Sequence, residues 1–262
     1  MLKKFQNKEV RKMEEKEIQV CIVGARGKMG LEIGNVVRQD PDLTIMWEVD
    51  LEQAPVKSIT DVPWNQTVDV VINFTNPEAT LESARWCNNR KIPLVTGTTG
   101  LNEDQKKKLK LASKAVPIVF DSNMSLGVNL IDSVLPHFAK VLTGFAIEMV
   151  EIHNENKKDS PSGTAIRFAQ TLVKAKGGEI VYGRAKGHSD NRPINEVVVH
   201  AIRGGTVPGE HTIYFLGPDE VIEIHHRALS RKIFALGAIK AVKWIVNVKK
   251  PGLYSMNNVL GL

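Results

Sequence analysis

Ile18-Gln-Val-Cys-Ile-Val-Gly-Ala-Arg-Gly-Lys-Met-Gly30 is the stretch on which the fold turns. Apart from Gln19, Ile18 to Val23 is apolar on both alternations, as a strand buried inside a parallel sheet must be, and it runs directly into glycines at 24, 27 and 30. In a dinucleotide-binding fold the first glycine permits a tight turn, the second lets a pyrophosphate approach the backbone, and the third allows close packing of the following helix. The spacing here is G-x-x-G-x-x-G, a departure from the commonest form. A second apolar strand, Leu43 to Val49, ends in Asp50, about 20 residues past the loop, where an acid would accept ribose hydroxyls.

Outward from this stretch, strand and helix alternate. Val68 to Phe74 reads as a buried strand, and Thr75-Asn-Pro-Glu78 after it as a cap, a first-turn proline and an acid that suits the helix dipole, opening a helix to about Asn89. Pro93 to Thr96 leads into Gly97-Thr-Thr-Gly100, a helix follows through Ala115, and Pro117 to Phe120 leads into Asp121-Ser-Asn-Met-Ser125. This pattern predicts a Rossmann-like α/β domain, a doubly wound parallel sheet over residues 18–125, with Gly97 to Thr99 and Asp121 to Met124 at strand ends where ligands bind. Beyond Ser125 the order changes to a helix from Gly127 to Leu142, a strand from Phe145 to His153, a helix to about Lys176 and a long polar loop from Gly177 to Asn195. Strands at Glu196 to Arg203, Glu210 to Leu216 and Val221 to Arg227 then follow closely, and the tight turns between them indicate antiparallel neighbours. Residues 126–230 therefore read as a second, α+β domain with a mostly antiparallel sheet. A helix from Arg231 to Asn247 and a tail to residue 262 would return to complete the first domain, and residues 1–17 read as a charged extension.

Composition sets the outer bounds. With 42% hydrophobic and 24% charged residues over 262 positions, the chain is an ordinary globular protein. Its longest apolar runs are too short to span a bilayer and its amino terminus lacks a signal-peptide core, so a cytoplasmic protein without membrane partners is expected. The net charge of +6 lies largely in Lys3 to Lys16 and Lys106 to Lys110. These runs are mixed with acids or lie on a helix without interleaved aromatics, which favours solvated faces over a nucleic-acid surface. Cys21 and Cys87 read as reduced packing residues. Adjacent His225 and His226 must point to opposite faces of a strand, and no H-x-x-x-H or C-x-x-C spacing exists, so no metal is expected.

The chemistry is placed at Glu151-Ile-His-Asn-Glu-Asn-Lys-Lys-Asp-Ser-Pro-Ser-Gly-Thr-Ala165. Ser160 or Asp159 would cap a helix with Pro161 in its first turn, leaving the N–H groups near Ser162, Gly163 and Thr164 to cradle a carboxylate or phosphate. His153 and Lys157, just upstream, are two proton carriers beside an anion site. Read alone, such a stretch is usually only the capped start of a surface helix.

With the glycine loop, Gly97-Thr-Thr-Gly100, the D-S-N-M-S-x-G-V-N stretch, E-I-H-x-x-x-K-x-D-x-P-S-G-T-A, Gly209-Glu-His-Thr212 and the end from Gly252 to Leu262, the chain resembles the dihydrodipicolinate reductases from Ile18 onward. The resemblance implies reduction of a cyclic imine dicarboxylate on the diaminopimelate route to lysine, with NADH or NADPH, by a homotetramer assembled through the sheet of the second domain. By position it implies His153 as proton donor and acceptor, Lys157 as proton donor, and Asn154, Gly163 and Thr164 as substrate contacts. It also implies cofactor contacts from Gly24, Ala25, Arg26, Gly27, Lys28, Met29, Asp50, Gly97, Thr98, Thr99, Asp121, Ser122, Asn123 and Met124. Two positions depart from the family pattern: Asn154 replaces a frequent second histidine, and Leu51 stands where an arginine able to pair with a 2′-phosphate is often found. NADH is therefore expected to serve at least as well as NADPH. Val197, Val199 and Ile213 are expected as exposed apolar residues of the assembly surface. Other two-domain dehydrogenases and a silent dinucleotide sensor are the competing readings. Against them stand the lack of a placed nucleophilic cysteine and of an E-K-P segment, and the presence of both His153 and Lys157.

Overall fold

Buried from Val20 onward, β1 (Ile18–Val23) lies inside a sheet, as its unbroken apolar run requires. The computed structural model describes residues 17–184 and 192–262. The expected charged extension thus falls, Glu17 apart, outside the described residues, as do residues 185–191 of the predicted polar loop. After β1 come α1 (Lys28–Gln39), β2 (Leu43–Val49), β3 (Val70–Asn73), α2 (Pro77–Arg90), β4 (Leu94–Thr96), α3 (Glu103–Ala112) and β5 (Pro117–Phe120). The chain then leaves through α4 (Leu126–Val141), β6 (Ala146–His153), α5 (Gly163–Lys176), β7 (Glu179–Tyr182), β8 (Glu196–Arg203), β9 (Gly209–Leu216) and β10 (Val221–Ala228). It returns as α6 (Lys232–Ile245), β11 (Gly252–Tyr254) and α7 (Met256–Leu260).

The first sheet has the order β11-β5-β4-β3-β1-β2, and every pairing in it is parallel. Strand order reverses between β1 and β3, so the crevice at their carboxyl ends is the topological switch point where such sheets bind ligands. One face is covered by α1 and α6, with Ile33, Val37, Ile239, Val242 and Ile245 packed on Val20 and Ile22. The other carries α2 and α3, with Trp86, Cys87 and Leu109 against Cys21 and Val71. Asn76 caps α2 by accepting from the Ala79 N–H at 2.9 Å, with Pro77 in the first turn, as the sequence predicts. Burial pushes the Cys21 thiol up to about 12 and raises that of Cys87 as well, so both remain inert packing groups.

The second sheet has the order β10-β9-β6-β8-β7. It is mixed, where a mostly antiparallel sheet was expected: β10–β9 and β9–β6 are antiparallel, while β6–β8 and β8–β7 are parallel. The difference lies in β8, which is not paired with β9, its successor along the chain. The α5 crossover returns the chain parallel to β6, and the turn after β8 steps over the end of β6 to place β9 on the far side. That turn is bonded to the strand it crosses, through Gly204 N–H to the His153 carbonyl at 3.0 Å and Asn154 N–H to the Val207 carbonyl at 2.8 Å. The predicted loop from Gly177 contains β7, which extends the sheet beside β8.

Helices α4 and α5 cover one face of this sheet. Side chains alternate along β6, so Ile147, Met149, Glu151 and His153 point under the helices. Val197, Val199 and Ile213 point the same way and are buried in that core. The expectation that they are exposed is thus wrong, because apolar residues on both faces of β8 hide which face is covered. The exposed apolar side chains of these strands are Ile202 and Val221, on the opposite face.

Candidate active site

The loop after β1 bends on Gly24, whose φ of 82° is in the left-handed region and whose missing Cβ would lie 2.5 Å from Thr75 Cγ2. A Cβ on Gly30 would lie 1.9 Å from the Gly24 carbonyl oxygen, so only glycine lets α1 pack against the turn. Helix α1 starts at Gly27 without a side-chain cap and without an acid in its first turn, in contrast to α2 and α3, which have asparagine caps and Glu78, Glu103 and Asp104. Its first N–H groups and positive dipole end are left for an anion, the environment a dinucleotide pyrophosphate requires. Asp50 stands at the end of β2 and accepts from the Arg26 N–H at 2.8 Å. The Arg26 guanidinium is held by Glu48 at 2.7 Å and donates to the Gln53 carbonyl, while Glu48 is also paired with Arg38. Leu51 is largely exposed next to them.

The other predicted cofactor residues divide by where their side chains point. Thr98 is buried and its hydroxyl meets Thr80 Oγ1 at 2.7 Å and the Thr75 N–H at 3.2 Å, which ties the loops after β3 and β4 together. Met124 is buried in the core under α6. Asp121 is committed to Arg167 at 2.7 Å and to the N–H groups of Asn123 and Met256. What these three can offer a ligand is backbone. Thr99, Ser122 and Arg167 line an open cleft with Lys106 at the same sheet edge.

The second group assembles where β6 ends and α5 begins. Ser162 is the cap of α5, accepting from the Ala165 N–H at 3.2 Å, in place of the expected Ser160 or Asp159. Pro161 precedes the cap, so the first turn opens on Gly163 and Thr164 and contains no acid. The Ser162 N–H is not free for a ligand: it donates to Glu151 Oε1 at 3.0 Å. Thr164 Oγ1 accepts from Asn123 Nδ2 at 3.0 Å, a direct link from the end of the first sheet to this cradle. Lys157 reaches Asp159 at 2.8 Å. Burial would raise the Asp159 carboxyl, but the ammonium of Lys157 and the N–H groups of Asp159 and Gly163 hold it below the usual range. The Asn154 side chain is turned into its own bend, accepting from the Asn156 N–H at 3.1 Å.

His153 is nearly buried and its Nδ1 lies 2.5 Å from Glu151 Oε2. Arg203, opposite His153 on β8, grips both oxygens of the same carboxylate at 2.7 and 3.0 Å. His211, across from Glu151 on β9, stacks edge-on against His153 with ring centres 5.2 Å apart and meets Ser162 Oγ at 3.0 Å. Burial, reinforced by the neighbouring His153, lowers His211 to about 3, so its ring is neutral.

The family described as dihydrodipicolinate reductase, N-terminus, matches residues 18–124, and its C-terminus counterpart matches residues 127–260. The chain belongs to the dihydrodipicolinate reductase family. Relatives at this level include the 4-hydroxy-tetrahydrodipicolinate reductase of Caldanaerobacter subterraneus subsp. tengcongensis, 41% identical over 250 residues that cover 93% of this chain and 98% of the relative. The enzyme of the same name from Campylobacter curvus is 43% identical over 255 residues, covering 94% of this chain and all of the relative. A dipicolinate-bound dihydrodipicolinate reductase from Paenisporosarcina sp. TG-14 shares the fold, with a TM-score of 0.71 at 21% identity over 92% of this chain and 98% of that one. Family membership bears out the resemblance read from the P-S-G-T-A segment.

Sequence reading singled out neither Glu151, Arg203 nor His211, and took Ser162 for a ligand donor. A signal for the first existed: Glu151 and His153 are two apart on a strand and so must share a face. Arg203 and His211 come from other strands, and only the order of the second sheet brings them to Glu151.

Proposed function

We propose that this chain reduces 4-hydroxy-tetrahydrodipicolinate to tetrahydrodipicolinate, the family's step on the diaminopimelate route to lysine. The observation that carries this reading is the linked set at the start of α5: His153 is joined through Glu151 to the Ser162 N–H, Lys157 is paired with Asp159, and Thr164 is joined through Asn123 to the nucleotide-binding sheet. When bound, a reduced nicotinamide dinucleotide supplies the hydride. The loop from Gly24 to Met29 would hold its pyrophosphate, Asp50 would accept from its adenine ribose, and the segments Gly97 to Thr99 and Asp121 to Met124 would border it. Gly163 and Thr164 hold a substrate carboxylate at the helix dipole. Loss of the 4-hydroxyl as water leaves a C=C–C=N system; a hydride added to it would leave a basic atom, to which Lys157, or a water it orients, delivers the proton while His153 serves as the second carrier.

NADH serves at least as well as NADPH in this reading. A 2′-phosphate would meet Asp50 as a like charge, Leu51 brings no cation, and Arg26 is already engaged by Glu48. The second unit binds the substrate and, through the face of its sheet that carries Ile202 and Val221, assembles a cytoplasmic homotetramer; light scattering that gave a monomer mass at micromolar concentration would end that part. The reaction itself is tested by mixing enzyme, reduced cofactor and the fresh product of dihydrodipicolinate synthase. Loss of reduced-nicotinamide absorbance is expected, and steady absorbance with both cofactors would refute the assignment.

A further inference from the structure

Beneath the two proton carriers lies a carboxylate for which the reaction above has no use. Glu151 is fully buried, and its oxygens receive His153 Nδ1 at 2.5 Å, Arg203 Nη2 at 2.7 Å, Arg203 Nη1 at 3.0 Å and the Ser162 N–H at 3.0 Å. Burial alone would raise this carboxyl, but hydrogen bonds from His153, Arg203 and Ser162 overturn that and hold it down to about 2. Arg203 alone would suffice to neutralise one buried carboxylate, since its fork matches both oxygens. The contact with His153 is therefore additional to what burial of the charge requires.

An ionised carboxylate only accepts, so the atom of His153 that faces it must carry a proton. We propose that Glu151 is a positioning residue that holds the His153 ring with its proton on Nδ1 and so leaves Nε2 as the atom that exchanges protons with the substrate. The proposal rests on the reading of His153 as a proton carrier. Three neighbours make the arrangement rigid. The neutral His211 ring packs edge-on against His153, Arg203 keeps Glu151 anionic so that it orients the imidazole without taking its proton, and Gly209 makes room at the other nitrogen, where a Cβ would lie 2.9 Å from His153 Nε2. The Ser162 N–H lies on the same carboxylate while the Ser162 hydroxyl caps α5. One buried charge thereby sets both the imidazole and the start of the anion cradle against a common reference, so that a proton carrier and a substrate carboxylate keep a fixed spacing.

The decisive measurement is made on the wild-type protein, with one variant serving only to assign the signal. In the full-length wild-type protein labelled with ¹⁵N-histidine, the neutral form of His153, assigned by its loss in His153→Gln, is expected to carry its proton on Nδ1, with Nε2 bare. A neutral His153 protonated mainly on Nε2 would overturn the proposal. In Glu151→Gln the amide can donate as well as accept, so both tautomers are expected to appear, with kcat lowered by roughly 10- to 100-fold and cofactor Kd changed less than twofold. In the double variant Glu151→Gln/His153→Gln, kcat is expected to stay within about twofold of His153→Gln alone. An equal loss with and without His153 would show that Glu151 acts only through packing and would overturn the proposal. Wild-type kcat in His153→Gln would remove the proton carrier itself, and the proposal with it; an impaired His153→Gln with the wrong wild-type tautomer would sink the Glu151 role alone.

Discussion

Arg167 on α5 holds acids from both parts of the molecule, and Arg167→Met removes that hold while keeping most of the stem. Its Nη1 donates to Asp121 at the end of β5 at 2.7 Å, its Nε to Asp132 on α4 at 2.8 Å, and its Nη2 to Asn129 at 3.0 Å. Asp121 and Asp132 are 7% and 12% exposed and the guanidinium side chain 26%, so the network is largely screened from water. Leaving a buried charge without its partner costs about 3–5 kcal/mol. Here the acids keep other donors, Thr171 on Asp132 and two backbone N–H groups on Asp121, and a quarter of the arginine is wet. A loss of about 2–3 kcal/mol is therefore expected, or a Tm lower by about 4–6 °C in a chain of this size. Urea unfolding at pH 7 measures the first and differential scanning fluorimetry the second. Asp121→Asn in the Arg167→Met background should return part of the loss, because an amide needs no cation. A loss under about 1 kcal/mol, or strict additivity in the double variant, would mean that the two units are joined elsewhere.

Lys157→Ala should lower kcat by roughly 10² to 10⁴ while cofactor affinity stays near its original value; wild-type turnover would remove Lys157 from the mechanism. Leu51→Arg should shift kcat/KM toward NADPH, and Glu48→Gln should shift it the same way by freeing Arg26; a strong NADPH preference in wild type, or no shift in either variant, would show that the phosphate is read elsewhere. Stability should fall between pH 7 and pH 5 through His211. Its folded value of about 3 lies below the unfolded 6.5, so the unfolded chain takes up a proton that the folded chain refuses, and stability falls steadily as pH drops from 6.5 toward 3. At pH 5 that amounts to about 2 kcal/mol, and His211→Gln should show a correspondingly flatter profile in urea titrations. Parallel profiles for the two proteins would mean that the buried ring is protonated.

Much of the first sheet was legible, with β2 and β5 beginning and ending where their apolar runs do, although β3 is shorter than its apolar run and β11 was read only as part of a tail. Strands buried on both faces have no polar alternation to blur, and Asn76 with Pro77 marks a helix start by chemistry that has few other uses. The second sheet was less so, because the nearness of β8 and β9 in sequence suggested pairing, while the strand between them in space is β6, supplied much earlier in the chain. At the candidate site, His153 and Lys157 stood out by residue type. Glu151 did not, since a carboxylate on a strand reads as a wet surface residue until a buried arginine is known to face it. The buried partners come from β8 and β9, so no local pattern around residue 151 could have named them.

Because β11 pairs with β5, the first sheet begins at Ile18 and is not closed until Gly252 to Tyr254 are in place. On a chain emerging from the ribosome amino end first, the outer N–H and C=O groups of β5 wait uncovered while everything from α4 to β10 is made. An open strand edge is a template for pairing with other chains. The second sheet, whose last strand ends at Ala228, can fold inside that wait. The nucleotide-binding sheet is thus the first to start and the last to finish, and a nascent chain stalled before Gly252 would present a complete second sheet beside an unfinished, adhesive first one.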